Sequence, residues 1–191
     1  MYNILIYSAL LLSVDGVKFS LETTFFGEES IVIGTTIMQK GEKIRIEETL
    51  PNSNEIGSVV ISDGEKTWHI FAEGKIAETS LIRNAFEAMG INGNVIKQDI
   101  GKKSVTEIPE AKVIKQKSRG EVINYKDYIT TESMGQIPGV IEIYDSNGKL
   151  QKQTAIKNID EGMSFSSKLF DKNAVDFSYN AKESAKKKHF E

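Results

Sequence analysis

From Val17 onward, apolar and polar positions recur with a period of two, in short runs broken by turn residues. Successive side chains on a strand point to opposite faces, so this pattern predicts an antiparallel sheet. Phe19 to Phe26 is β-prone and ends at Gly27-Glu28-Glu29. Ile31 to Met38 is β-branched and almost uncharged, which again favours a strand. Lys40-Gly41-Glu42 turns the chain into Lys43-Ile44-Arg45-Ile46-Glu47, whose strict alternation predicts one dry and one wet face. Ser58 to Ser62 and Thr67 to Phe71 flank Asp63-Gly64, a strong hairpin signal. Val122 to Ile129, Val140 to Tyr144 and Leu150 to Ile159 are further strands, the last two joined across Asp145-Ser146-Asn147-Gly148.

The period changes between Glu78 and Gly90. Leu81, Ile82, Ala85, Phe86 and Met89 fall at helical spacing, with Arg83, Asn84 and Glu87 opposite. Thr79 or Ser80 can cap the start of this predicted helix and Gly90 can end it. Ile91 to Val113 is polar and predicts short strands joined by loops, Met163 to Phe177 carries spaced aromatics, and residues 180–191 are expected to form a disordered tail. The first sixteen residues leave two readings open. Ile4 to Leu12 has the length of a signal-peptide apolar region and is too short to span a bilayer, yet no basic residue precedes it and no A-x-A site follows. The other reading is an apolar helix packed on the domain and stopped by Asp15-Gly16.

Composition narrows the function classes. A chain of 191 residues with 39% hydrophobic and 27% charged residues suits a single domain, 1–191, with its own core. A net charge of −3 and a pI of 5.6 argue against a broad phosphate-binding surface and so against nucleic acid. The run Lys186-Lys187-Lys188 lies in the tail and reads as solvated. The absence of cysteine excludes disulfides, thiolate metal sites and cysteine nucleophiles.

Catalytic signals are also missing. The chain holds no nucleophile elbow, phosphate loop or pair of metal-binding histidines. His69 and His189 stand apart in sequence, and His69 beside Trp68 reads as a structural residue. Asp145 to Gly148 resembles the start of a calcium loop, but Ile156 occupies the position of the bidentate glutamate. Glu28-Glu29 and Glu47-Glu48 lie in a polar loop or on a wet strand face, with no spacing that suggests acid–base work. A non-enzymatic protein without metal or cofactor is the expectation.

The order of motifs resembles the outer-membrane lipoprotein carrier family of Gram-negative periplasms, the LolA-like proteins. The stretch that carries most of the likeness is Met38-Gln39-Lys40-Gly41-Glu42-Lys43-Ile44-Arg45-Ile46, then Pro51, then Ile61-Ser62-Asp63-Gly64-Glu65-Lys66-Thr67-Trp68. Ile137-Pro138-Gly139-Val140-Ile141-Glu142-Ile143-Tyr144 before Asn147-Gly148-Lys149-Leu150 is a second match, and Phe165-Ser166-Ser167-Lys168-Leu169-Phe170-Asp171 a third. The likeness runs from about Val17 to Phe177. Three positions depart from the family pattern: Lys40 stands at the family's arginine, Gly41 at a proline and Ile46 at an aromatic.

The resemblance implies a mainly β fold with helices (α+β), a curved antiparallel sheet forming an incomplete β-barrel with at least two helices across its concave side. It implies a periplasmic, monomeric carrier, not stably inserted in a membrane, that takes lipid or lipoprotein acyl chains from an inner-membrane transporter to an outer-membrane acceptor. A periplasmic lipid- or protein-binding sensor or accessory domain on the same fold is the alternative. The expected apolar cavity is lined by Ile44, Ile46, Trp68, Ile70, Leu81, Ile82, Phe86, Met89, Ile141 and Ile143, with Lys40 as the basic position. The same residues would also serve as an ordinary filled core, since both need a dry face. The Leu81 to Met89 helix divides the two readings. As core, Phe86→Glu would unfold or strongly destabilise the domain; as a lid the helix would swing out, and the expectation is that Phe86→Glu abolishes fatty-acid binding at modest cost in stability.

Overall fold

The computed structural model of the chain describes residues 16–91, 112–115 and 122–177. The expectations for the N-terminal apolar stretch, for most of Ile91 to Val113 and for the tail lie outside the described residues. Ten strands follow one another: β1 (Val17–Phe25), β2 (Ile31–Lys40), β3 (Lys43–Thr49), β4 (Ile56–Ser62), β5 (Thr67–Phe71), β6 (Ile76–Thr79), β7 (Lys112–Lys115), β8 (Val122–Thr131), β9 (Gly135–Tyr144) and β10 (Leu150–Glu161). They form one sheet in the order β6-β5-β4-β3-β2-β1-β10-β9-β8-β7. Every pairing is antiparallel. The first six strands and the last four are two meanders, joined where β1 pairs with β10. Among the described residues β6 and β7 end the sheet, which is not closed into a barrel.

The hairpins form where turn chemistry demands. The Asp63 carboxylate accepts the backbone N–H groups of Glu65 and Lys66, both at 2.9 Å, and the Asp145 carboxylate accepts those of Asn147 and Lys149, both at 2.9 Å. Such side-chain bonds hold a tight turn without further help.

Register sorts the side chains into an inner and an outer face. Phe19, Ile37, Ile46, Val60 and His69 share one rung across β1 to β5 on the inner face, and Lys18, Met38, Arg45, Ile61 and Trp68 share the next rung on the outer face. The inner face carries the main core: Val17, Phe19, Leu21, Ile37, Ile44 and Ile46 from one half of the sheet pack in a cluster that also takes in Ile123, Tyr125, Ile137 and Ile141 from the other.

Among the described residues a single short helix, α1 (Ala85–Met89), lies over this face. It is fastened to β2, where the Gln39 carboxamide oxygen accepts the Ala85 N–H at 2.8 Å. It also meets β8, where the Tyr125 hydroxyl donates to the Gly90 carbonyl at 3.3 Å. On a flat sheet those strands would stand about 19 Å apart, four spacings of ~4.8 Å, whereas five helical residues span only about 7.5 Å. Side chains perpendicular to a flat sheet would not converge on so short an element. The sheet therefore curls around α1.

The helix is much shorter than the sequence predicts. Glu78 and Thr79 belong to β6, paired with Trp68 and Thr67. The Ile82 N–H donates to the Thr67 hydroxyl at 3.1 Å, and the Ile82 carbonyl accepts from the Ser62 hydroxyl at 2.9 Å. With its backbone bonded to the sheet, residue 82 takes no part in a helix. Helical bonds begin only after Asn84, whose side chain accepts the Glu87 N–H at 2.9 Å. Gly90 ends the helix with φ +72°, a left-handed conformation that glycine adopts without a Cβ penalty. Among the described residues α1 is the one α-helix, so the expected second helix on this side is not found there.

The outer face of the first meander is also covered. Residues 163–177, with 3-10 turns at Ser167–Phe170 and Lys172–Ala174, form a strap across it. Met38 packs with Phe165 and Phe170, while Val59, Ile61 and Ile70 pack with Trp68, Val175 and Phe177. The Arg45 guanidinium donates to the Leu169 carbonyl at 3.0 Å and pairs with Glu47 at 2.7 Å, and Lys172 stands 4.1 Å from the centre of the Trp68 ring.

Candidate functional site

The inner face differs from end to end. At one end Val17, Gln39, Ile44, Ser62 and Thr67 line up across five strands, and the chain entering α1 is bonded to three of them. There the interior is filled. Phe86 is 4% exposed, with its ring centre 6.3 Å from that of the fully buried Phe19. Toward the other end the same rows run on into Thr23, Ile33, Phe25 and Ile31, and the face opens: Phe25 is 39% and Ile31 41% exposed.

At the border of the filled and open parts lies a cleft of about 200 Å³. Its roof is residues 87–90 of α1 and its C-terminal cap, and its walls are Ile123, Ile141, Ile143, Lys152 and Thr154 from β8, β9 and β10. Beside it the Lys152 ammonium sits 5.4 Å from the centre of the Phe25 ring. The Thr154 hydroxyl is hydrogen-bonded to that of Thr23 at 3.0 Å, which fastens the β1–β10 seam at the cleft's edge.

The ten residues expected to line one cavity divide into three groups. Met89, Ile141 and Ile143 reach the cleft. Ile44, Ile46 and Phe86 are buried in the filled core, with Ile82 packed against it and Leu81 half-buried in the loop before α1. Trp68 and Ile70 are on the outer face, because Trp68 pairs with Ile61 and Ile70 with Val59, in rungs that alternate with that of Ile46, Val60 and His69. The strap keeps them dry there. Lys40 is on that side too, donating to the Phe165 carbonyl of the strap at 3.2 Å, and so does not face the cleft.

Phe25, Ile123, Lys152 and Thr154 are residues of the site that the sequence reading passed over. Ile123 has a signal, since it is the first inward position of a strand that alternates. Lys152 has none. The pairing Tyr144↔Leu150 is followed by Ile143↔Lys152, so Gln151 is an extra residue in β10. Without that bulge Lys152 would share the outer face with Leu150. A second bulge separates the pairs Ser20↔Asn158 and Leu21↔Ile156 on the same strand.

The other polar cluster is on the outer face of the second meander. Glu142 is buried there and accepts hydrogen bonds from Lys126 at 2.6 Å, the Tyr144 hydroxyl at 2.8 Å and the Gln153 carboxamide at 2.9 Å. Burial alone would push its carboxyl up, but these three donors outweigh it and hold the group below its ordinary value. The result is a stabilised, fully bonded anion that leaves no poised base. Among the described residues no three His, Asp or Glu side chains are grouped to hold a metal ion. No helix among them is long and apolar enough to cross a membrane.

Sequence comparison finds no matching family model and no matching curated protein. Comparison of structures does. A candidate outer membrane lipoprotein-sorting protein domain from Vibrio parahaemolyticus superposes with a TM-score of 0.53 at 8% identity, over 90% of this chain and 96% of that one. A LolA superfamily protein from Nitrosomonas europaea gives 0.51 at 10% identity, over 90% and 98%. The chain has the LolA-like fold. A DUF1329 family protein from Desulfovibrio piger matches similarly, at 0.52 and 8% identity over 92% and 97%. The LolA-like fold is thus shared by chains with almost nothing in common at the level of sequence, and what each one binds has to be argued from its own inner face.

Proposed function

We propose that the protein is a periplasmic carrier that holds lipid, or the acyl chains of a lipoprotein, in the inner-face cleft beside α1 for transport toward the outer membrane. On this reading an inner-membrane transporter loads it and an outer-membrane acceptor unloads it. The observation that carries the proposal is the cleft itself, with aliphatic walls from Ile123, Ile141 and Ile143 and an adaptable Met89 in the roof, next to an inner face that runs on to the exposed Phe25 and Ile31. The fold, shared with a structure named for lipoprotein sorting, supports it.

A second reading is favoured by one feature, the filled end of the inner face. With Phe86, Ile44 and Ile37 packed solid, the space left is below the ~300–1,000 Å³ of typical ligand pockets. That suits a sensor or accessory domain binding one small lipid better than a ferry for several chains.

Titration of the purified full chain with a fluorescent fatty acid tests the binding that both readings require. Saturable binding, weakened about tenfold in Ile143→Gln with the urea midpoint nearly unchanged, is the expected result. No saturable binding by the native chain would overturn both. Fractionation of cells expressing the native gene checks the compartment, and recovery in the cytoplasm alone would remove the carrier role.

A further inference from the structure

The cleft has a charge as well as an apolar wall, and that charge narrows what it takes. The bulge at Gln151 turns Lys152 onto the inner face, where its cross-strand partners are Ile143 on one side and Phe25 on the other. This places a lysine among apolar neighbours on the inner face, whereas Lys18, Lys40 and Lys43 lie on the outer face or at a turn and several other cations are neutralised. Lys126 is paired with Glu142, Lys157 with Glu22, Lys66 with Glu78 and Arg45 with Glu47. Among the described residues no carboxylate lies within ion-pairing distance of Lys152. Among them the Phe25 ring alone steadies the ammonium, which leaves its N–H donors unused.

Among the described residues the one carboxylate that lines the cleft is Glu87, and it is turned to the chain just before its helix: it pairs with Arg83 at 3.6 Å and accepts the Arg83 N–H at 2.8 Å. The Thr154 hydroxyl is committed to Thr23. Among the described residues the cleft therefore presents one uncompensated positive charge beside walls of isoleucine.

We infer that the cleft selects single-chain amphiphiles with an anionic head, the chain lying along Ile123, Ile141, Ile143 and Met89 and the head meeting Lys152. The inference rests on the acyl-binding reading above and adds to it the number of chains and the sign of the head. One chain follows from the volume of about 200 Å³, and an anion follows from Lys152. A carboxylate and a phosphate monoester share this chemistry, each offering oxygens to an ammonium donor.

Calorimetric titration of the full chain with dodecanoate, monododecyl phosphate, dodecanol and dodecylammonium, all below their aggregation thresholds, separates the possibilities. At least one of the two anions should bind about tenfold or more tightly than dodecanol, and dodecylammonium weakest; the better anion names the head. Lys152→Gln should bring the anions down to the level of dodecanol without weakening dodecanol itself, and Lys152→Arg should restore most of the preference. Equal binding of anions and alcohol, or equal loss of both in Lys152→Gln, would overturn the headgroup contact while leaving acyl binding in place. Binding of none of the four would overturn the acyl-binding reading and this inference together.

Discussion

The two meanders of the sheet are built from similar strands but are held in different ways. In the first, β2 to β5 are dry on both faces: α1 and the core lie on one side, and the strap of residues 163–177 on the other. In the second, β8 to β10 bury one face only among the described residues. Their outer face is polar, and its buried group is a carboxylate held by three donors rather than an apolar cluster. Even α1 belongs mostly to the first meander, through Gln39, Ser62 and Thr67, and touches the second with its C-terminal end. The first meander is thus a platform. The second supplies most of the cleft walls, and its lower burial is what leaves side chains such as Ile143 and Lys152 within reach of a ligand. Binding elements are commonly drawn from the less stabilised part of a fold.

The largest expected effect is at the platform's inner face. Phe86→Glu puts a charge against Phe19, with the chain tied to β2, β4 and β5 just before it and to β8 at Gly90 after it. Burying an unpaired carboxylate should cost about 4 kcal/mol or more, close to the whole stability of an ordinary domain. Urea unfolding monitored by far-ultraviolet circular dichroism reads the loss. A variant that keeps its midpoint but loses fatty-acid binding would show α1 to be a movable lid and the first meander no rigid platform.

One residue from each meander shows the same difference on a smaller scale. Ile61 is fully buried beneath the strap, whereas Ile143 is half-buried at the cleft. Ile61→Ala should cost about 3 kcal/mol, transfer and cavity together, and Ile143→Ala less than about 1 kcal/mol. Fatty-acid binding should show the opposite order, with Ile143→Ala the more damaging. Equal losses of stability at the two sites would mean that the second meander is as tightly packed as the first.

How much of this division is legible in the sequence depends on the physical cause of each feature. The hairpins at Asp63 and Asp145 are local: the turn aspartates bond backbone groups within four residues, so sequence alone places them. The inward direction of Ile44 and Ile46 follows from simple alternation. The outward direction of Trp68 and Ile70 does not, because Val59-Val60-Ile61 on the neighbouring strand is apolar on both faces, and period two cannot say which face a distant strap will cover. The helix that ought to start near Thr79 fails for a related reason. Leu81 and Ile82 are apolar where the chain crosses onto the inner face, and hydroxyls from Ser62 and Thr67 take the backbone bonds that a helix would have used. Lys152 owes its place to a bulged residue, and no pattern of apolar and polar letters announces a bulge.

The anion in the second meander makes a weaker, pH-dependent contribution. Glu142 is held below its ordinary value of 4.5 because Lys126, Tyr144 and Gln153 outweigh the cost of burial. A carboxyl depressed in the folded state contributes stability that is present above 4.5 and is lost as pH falls through the folded value. Asp63 and Asp145 are depressed below 3.8, chiefly by backbone hydrogen bonds from Lys66 and Lys149 respectively, and act in the same direction at lower pH. Glu142→Gln keeps the shape but removes the charge, and Lys126, with its side chain 39% exposed, can turn to water. The expected cost near neutral pH is therefore only about 1 kcal/mol. The distinguishing result is the pH profile. From about pH 6 to about pH 3 the urea midpoint of the native chain should fall more steeply than that of the variant, so that the two curves converge on acidification. The Lys126 side of the pair acts at the other extreme, because its value is raised above 10.5, mainly by the Glu142 hydrogen bond, and its share is lost as pH rises through the folded value. Parallel curves in acid would show that Glu142 titrates as it would in water, and that the outer face of the second meander has no buried ion pair to set against the apolar clusters beneath the strap.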